Sequence, residues 1–143
     1  MHNPEAGSEE RRPFVVLAHE HPDGAVHYDL LIESVGAGRE GVCFTWSFAE
    51  PPADREQRCR RIFDHPRRFL TYEGPLREAL GRVTRHDAGT CQLEGDPDET
   101  LVLMLTGDTI SGRFRLLRLS GGRDTNDATD RQPEGEYSWQ PMK

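Results

Sequence analysis

Three of the six histidines in the chain and a carboxylate stand within eleven residues, in His19-Glu20-His21-Pro22-Asp23-Gly24-Ala25-Val26-His27-Tyr28-Asp29. Neutral imidazoles with a carboxylate make the mixed nitrogen and oxygen donor set that suits a divalent transition ion such as manganese, iron or zinc. In an extended strand, residues two apart project from one face. His27 and Asp29 therefore share a face, and His19 and His21 share a face of the preceding segment. Pro22-Asp23-Gly24 has the composition of a turn, which would fold the two segments toward each other and converge four donors: His19, His21, His27 and Asp29. A bare His-x-Asp is a weak pattern, and a solvated hairpin with incidental histidines has the same composition. The clustering is what points to a metal or catalytic site.

Short strands must position these residues. Phe14-Val15-Val16-Leu17, Leu30-Leu31-Ile32, Leu101-Val102-Leu103-Met104-Leu105 and Phe114-Arg115-Leu116-Leu117 are strand-length apolar runs bounded by turn residues. Fourteen glycines and ten prolines fit many tight turns. Strands are expected over 14–20, 26–34, 41–48, 82–86, 90–94, 100–106 and 111–119, with Tyr137-Ser138-Trp139 as a closing strand. Phe114, Leu116 and Arg118 then share one face of theirs. Asp54 after Pro51-Pro52 reads as a helix N-cap, with 55–61 a short arginine-rich helix or turn. Residues 67–73 read as strand or irregular, and Pro75–Leu80 as a turn of helix ended by Gly81. Gly36-Ala37-Gly38 reads as a turn and 120–136 as a flexible loop. The fold class is mainly β with less than about a fifth helix. At 143 residues the chain holds one domain, 13–143, behind a polar, mobile tail at 1–12.

No apolar run approaches a membrane span and no signal-peptide core is present. Cys43, Cys59 and Cys91 are an odd, scattered set without Cys-x-x-Cys, which argues against a disulfide framework and for a reducing cytoplasm. A net charge of −7 disfavours broad non-specific DNA binding. The basic residues are nonetheless grouped. Arg55, Arg58, Arg60, Arg61, Arg67 and Arg68 cluster around His65, and the guanidinium fork matches phosphate oxygens; a solvated face of arginine-rich composition reads the same way. No Gly-x-Ser-x-Gly supports a serine triad. His27-x-Asp29 with a distant histidine also mimics the two-histidine, one-carboxylate set of iron oxygenases, although those barrels place the last histidine farther along a longer chain.

The chain also resembles a known family. Phe14-Val15-Val16, a following histidine, His27-Tyr28-Asp29 and Glu33 are similar to the opening of the 3′-phosphoesterase module of bacterial DNA ligase D. Trp46, Asp64-His65-Pro66 with Tyr72-Glu73-Gly74, Gly81 to Thr90 around His86-Asp87-Ala88-Gly89, and Ser111-Gly112-Arg113-Phe114-Arg115-Leu116 continue the likeness in order, over roughly residues 14–119. The resemblance implies a small antiparallel β-barrel flanked by short helices. It implies manganese-dependent removal of 3′-phosphates and 3′-ribonucleotides from DNA ends, with zinc as the other metal to consider and ligase or repair proteins as partners. Carried over by position, His27 and Asp29 match metal ligands, and His65 matches a histidine on the scissile phosphate, so His27 and His65 are the catalytic pair. The first metal histidine stays open. Counting from the Phe-Val-Val strand gives His19, and counting back six residues from His27 gives His21; a turn about two residues longer than usual favours His19. Three departures thin the phosphate shell: Leu31 replaces an arginine, Phe69 a tyrosine and Glu50 a lysine. Arg67 and Arg68 are the nearest stand-ins for substrate binding. The second expectation is a non-catalytic metal-binding or nucleic-acid-end-binding module. His86 replaces an aromatic residue and reads as structural.

Overall fold

The computed structural model describes residues 11–34, 42–120 and 135–142. Of these, 68% are strand and 6% helical, so the protein is mainly β as the turn-rich sequence requires. The strands are β1 (Arg12–Glu20), β2 (Val26–Glu33), β3 (Val42–Phe48), β4 (Gln57–Pro66), β5 (Gly74–Pro75), β6 (Arg82–Gly95), β7 (Thr100–Gly107), β8 (Ser111–Ser120) and β9 (Gly135–Met142). They pair in the order β1-β2-β3-β4-β9-β8-β7-β6, and β6 returns to β1, closing an antiparallel barrel of eight strands. The short helices reduce to two 3-10 turns, Arg67–Leu70 and Arg77–Ala79. Residues 1–10 of the expected tail, the Gly36-Ala37-Gly38 turn and most of the 120–136 loop lie outside the described residues, and β1 begins at Arg12.

Alternation along each strand sends one set of side chains into the barrel. Phe14, Val16, Leu30, Ile32, Trp46, Phe114, Leu116 and Trp139 fill it, which suits eight strands, whose interior is just wide enough for side chains. The Phe114 and Trp139 rings stack at 4.4 Å, and Trp139 donates its indole N–H to the Ala53 carbonyl at 2.8 Å. A second cluster lies on the outer wall. Val15, Leu17, Leu31, Cys43 and Val83 pack there under Phe69, Leu70, Tyr72 and Leu76. β1 and the end of β2 are thus buried on both faces, which is why they read as unbroken apolar runs. The segment from Phe69 to Leu80 is a lid over this outer layer.

The short helix or turn expected at 55–61 is strand from Gln57 onward. The stretch from Gln57 alternates with period two: Cys59 and Arg61 are buried, while Arg58 and Arg60 are exposed. Asp54 caps no helix. The loop before β4 is held instead by the Gln57 amide, whose oxygen accepts from the Ala53 N–H at 2.7 Å and whose nitrogen donates to the Pro51 carbonyl at 3.0 Å. Arg61 is buried within the barrel, donating to the Pro97 carbonyl at 2.9 Å and pairing with Asp98 at 3.0 Å. The two strands expected at 82–86 and 90–94 are one, β6, which pairs with β5 and β1 in its first part and β7 in its second.

Two motifs of the resemblance are structural fasteners. The Asp87 carboxylate accepts from the N–H groups of Ala88, Asp108, Thr109 and Ile110 and from the Thr109 hydroxyl, tying β6 to the β7–β8 turn. A Cβ at Gly89 would lie 2.0 Å from the Thr106 carbonyl oxygen, so only glycine fits that strand crossing. In the lid, the Tyr72 hydroxyl donates to the Pro75 carbonyl, and Glu73 accepts from the Arg85 N–H at 2.6 Å.

Candidate metal centre

β1 and β2 pair so that His19 lies opposite His27 and Leu17 opposite Asp29. Pro22-Asp23-Gly24 makes the turn between them: His21 N–H donates to the Ala25 carbonyl at 2.8 Å, Ala25 N–H donates to Asp23 Oδ1 at 2.9 Å, and Gly24 takes φ +93°. His21 is thereby returned to the strand pair. The rings of His19 and His21 stack at 4.2 Å, and they lie 4.7 and 4.8 Å from the ring of His27. One ligand atom from each of His19, His21 and His27 falls within 4.8 Å of the others, close to the roughly 4.2 Å that two metal–nitrogen bonds of about 2.1 Å can span.

The hydrogen bonds fix which nitrogens are available. His19 Nε2 lies 2.9 Å from the Leu80 carbonyl. A carbonyl only accepts, so Nε2 carries the proton and Nδ1 keeps its lone pair. His27 Nε2 faces Asp29 at 3.1 and 3.2 Å, while its Nδ1 lies 2.8 Å from His21 Nε2. Asp29 is 3% exposed. It occupies the place of a carboxylate that orients an imidazole, and its Oδ1 is buried without a hydrogen bond. The bond to Asp29 raises the His27 pKa against the lowering effect of burial, and the aspartate charge adds to the rise. Three convergent imidazoles beside a buried carboxylate are a donor set that could hold a divalent ion.

The cluster opens into a pocket of about 330 Å³ lined by His19, His21, Asp29, Phe63, His65, Arg68, Phe69, Leu76, Arg77 and Leu80. His65 donates from Nδ1 to the Phe63 carbonyl at 3.1 Å, which leaves Nε2 unprotonated in the neutral ring. Burial lowers the His65 pKa. The Asp29 charge and the Phe63 carbonyl partly offset this, while charge on His19 and His27 adds to it. The ring is therefore a neutral acceptor near pH 7.

Of the expected substrate residues, Arg68 reaches this pocket, with its guanidinium 4.8 Å from the Phe69 ring centroid. Arg67 turns away, pairs with Glu33 at 2.5 Å and lines a separate surface groove. Leu31 lies in the outer apolar layer and Phe69 packs over it. Glu50 is exposed and pairs with Arg55 at 2.7 Å. Phe63, Arg77 and Leu80 were not singled out by sequence. Phe63 was legible, since it sits two residues before His65 and shares its face once 57–66 is read as strand. Leu80 carried no signal, because it is brought to His19 across a separation of 61 residues. The ring of His86 meets Tyr28 edge-on at 5.4 Å, outside the cluster. All three cysteines are buried and free. Burial pushes the thiols of Cys43 and Cys91 up to about 12 and Cys59 higher still, so they are inert. No helix of the described residues is long and apolar enough to cross a membrane.

The fold and its cluster define a small closed antiparallel barrel carrying a histidine–aspartate group beside a surface pocket. No protein-family model matches the chain. The chain is 30% identical over 114 residues to the multifunctional non-homologous end joining protein LigD of Mycobacterium bovis, covering 73% of this chain and 14% of that protein. Two LigD proteins of Mycobacterium tuberculosis, described as multifunctional non-homologous end joining DNA repair proteins, are similar over the same 114 residues at 30% and 29% identity. The chain is therefore similar to one segment of LigD and spans 14% of the length of these proteins.

Proposed function

We propose that this protein is a divergent 3′-phosphoesterase that acts on DNA ends in repair, holding a divalent ion, manganese before zinc, through His27, Asp29 and His19, with His21 within reach. The observation that carries the reading is the convergence of the imidazoles of His19, His21 and His27, the last held by Asp29, beside a pocket lined by His19, His21, Asp29 and His65. A bound ion would neutralise a phosphate oxygen and activate a water or ribose hydroxyl. His19 is held ready by the Leu80 carbonyl, and His27 is oriented by Asp29. His65 presents Nε2 to the pocket, where it takes a proton from an approaching hydroxyl or, once protonated, donates to the leaving oxygen. Arg68 and Arg77 line the same pocket and supply positive charge for the phosphate. DNA 3′ ends, including RNA-tailed ones, are the partners that follow.

One observation favours a second reading, a non-catalytic module that binds a metal or a nucleic-acid end. Leu31 and Phe69 give apolar packing where the resemblance places polar phosphate contacts. The test is gel resolution of labelled primers ending in a 3′-phosphate or 3′-ribonucleotide, with manganese present. Slow trimming that vanishes in His65→Ala and rises in Phe69→Tyr is the expected outcome. Robust trimming that survives His65→Ala would show the chemistry to lie elsewhere. Metal and DNA-end binding without trimming would establish the binding module.

A further inference from the structure

Phe63 is 52% exposed, yet its ring is not loose. It stacks on His65 at 4.9 Å with 15° between the planes, and its carbonyl receives the His65 Nδ1–H. One flat face is covered by the imidazole and the other is open. Leu80, 56% exposed, also lines this pocket, and Phe69 meets His65 edge-on at 6.1 Å. The rim of the pocket is thus aromatic and apolar, while Arg68 and Arg77 supply charge and the histidines supply polar nitrogens beside it. Among the described residues nothing is stacked on the open face.

We propose that the open face of Phe63 is a stacking platform for the nucleobase of the terminal nucleotide. The inference rests on reading the pocket as a site for nucleic-acid 3′ ends. A fixed planar ring with one free face selects a planar partner, and every base offers a π-face, so the contact is sequence-tolerant. The occupant must also be anionic close to its flat part, because the arginines stand in the same pocket as the ring. A terminal nucleotide meets both demands at once: its base lies on Phe63 and its phosphate reaches toward Arg68 and Arg77. The parallel His65 ring behind Phe63 couples the two functions, since the residue that faces the phosphate also supports the platform.

The test uses the full chain with manganese and two single-stranded DNA probes ending in a 3′-phosphate. One carries adenine on the last sugar, and the other has a tetrahydrofuran abasic residue there. Fluorescence anisotropy is expected to show the base-bearing probe bound roughly tenfold more tightly. Phe63→Ala should remove that preference by weakening only the base-bearing probe, and Phe63→Trp should keep it. The platform is overturned if the native protein binds both probes equally or neither, or if Phe63→Ala weakens both alike. The ratio requires no turnover. A chain that keeps the preference without releasing phosphate loses the phosphoesterase reading and retains the platform. A chain that releases phosphate without the preference does the reverse.

Discussion

Asp29 is bonded to His27, and its burial makes that contact strong. Removing the carboxylate frees the ring and takes away a donor, so Asp29→Ala should weaken manganese binding at least tenfold, in the range seen for residues that orient metal-binding histidines. Calorimetric titration checks this, and equal affinity in both proteins rules the site out. Protons compete with the ion for imidazole nitrogen. Because Asp29 raises the His27 pKa, binding should begin to weaken with falling pH above the ordinary value near 6.5 and be mostly lost below about pH 6. The pair was legible in sequence because period-two spacing alone puts both side chains on one face. Asp87 was legible only as a motif position; its work is not local, since the turn it holds lies 21–23 residues away. Burial alone would raise the Asp87 carboxyl, but the bonds from Thr109, Ile110 and Ala88 outweigh it and hold it below the usual range. A lowered pKa stabilises the fold above the unfolded value near 3.9 and loses that contribution as pH falls through the folded one. Asp87→Ala should lower stability by about 3 kcal/mol in urea unfolding near pH 7, by stranding several buried donors. Its acid-unfolding curve should be flatter than the native one below about pH 4.

At the scale of elements, the site depends on the lid as much as on the hairpin. Gly81 has φ +101°, and a Cβ there would sit 2.0 Å from the Glu20 carbonyl oxygen at the end of β1. Its own carbonyl accepts from the Leu76 N–H at 2.7 Å, which closes the turn carrying Leu80. Gly81→Ala should lower the melting temperature and weaken manganese binding together, because the Leu80 carbonyl would be displaced from His19. An unchanged affinity with a lowered melting point would separate the lid from the site. Leu31 also belongs to the lid layer. Replacing it with arginine would bury a guanidinium among Val15, Leu17 and Val83, with an expected loss of several kcal/mol. Phe69→Tyr is the gentler way to add a polar contact, since Phe69 already lines the pocket. Strand identity was legible wherever apolar residues alternated or ran continuously. It failed at 57–66 because an arginine faces inward: Arg61 reverses the polarity by which an inward position is recognised, and the exposed arginines around it resemble a solvated helix.

The whole molecule carries its charge unevenly, and this decides how it should meet DNA. The net charge of −7 repels a polyanion as a whole. Much of the arginine cluster visible in sequence is neutralised in the fold: Arg55 pairs with Glu50, Arg58 with Glu136, Arg61 with Asp98 and Arg67 with Glu33. Spacing along the chain could not reveal this, because closing the barrel chooses the partners; Arg61 and Asp98 are 37 residues apart. Arg68 and Arg77 remain at the pocket beside the histidines. A protein that tracks a backbone releases many counterions, whereas one that grips an end releases few. With about 0.7 of a counterion released per phosphate on a single strand, two arginines give a slope of roughly −1.4 in a plot of log affinity against log salt concentration. Anisotropy titrations of a 3′-phosphate oligonucleotide between about 50 and 200 mM salt measure that slope. Arg68→Ala should make it shallower by close to half. A native slope steeper than about −4 would mean that an extended stretch of backbone is bound, and the pocket would then be one part of a longer groove rather than a site for the end alone.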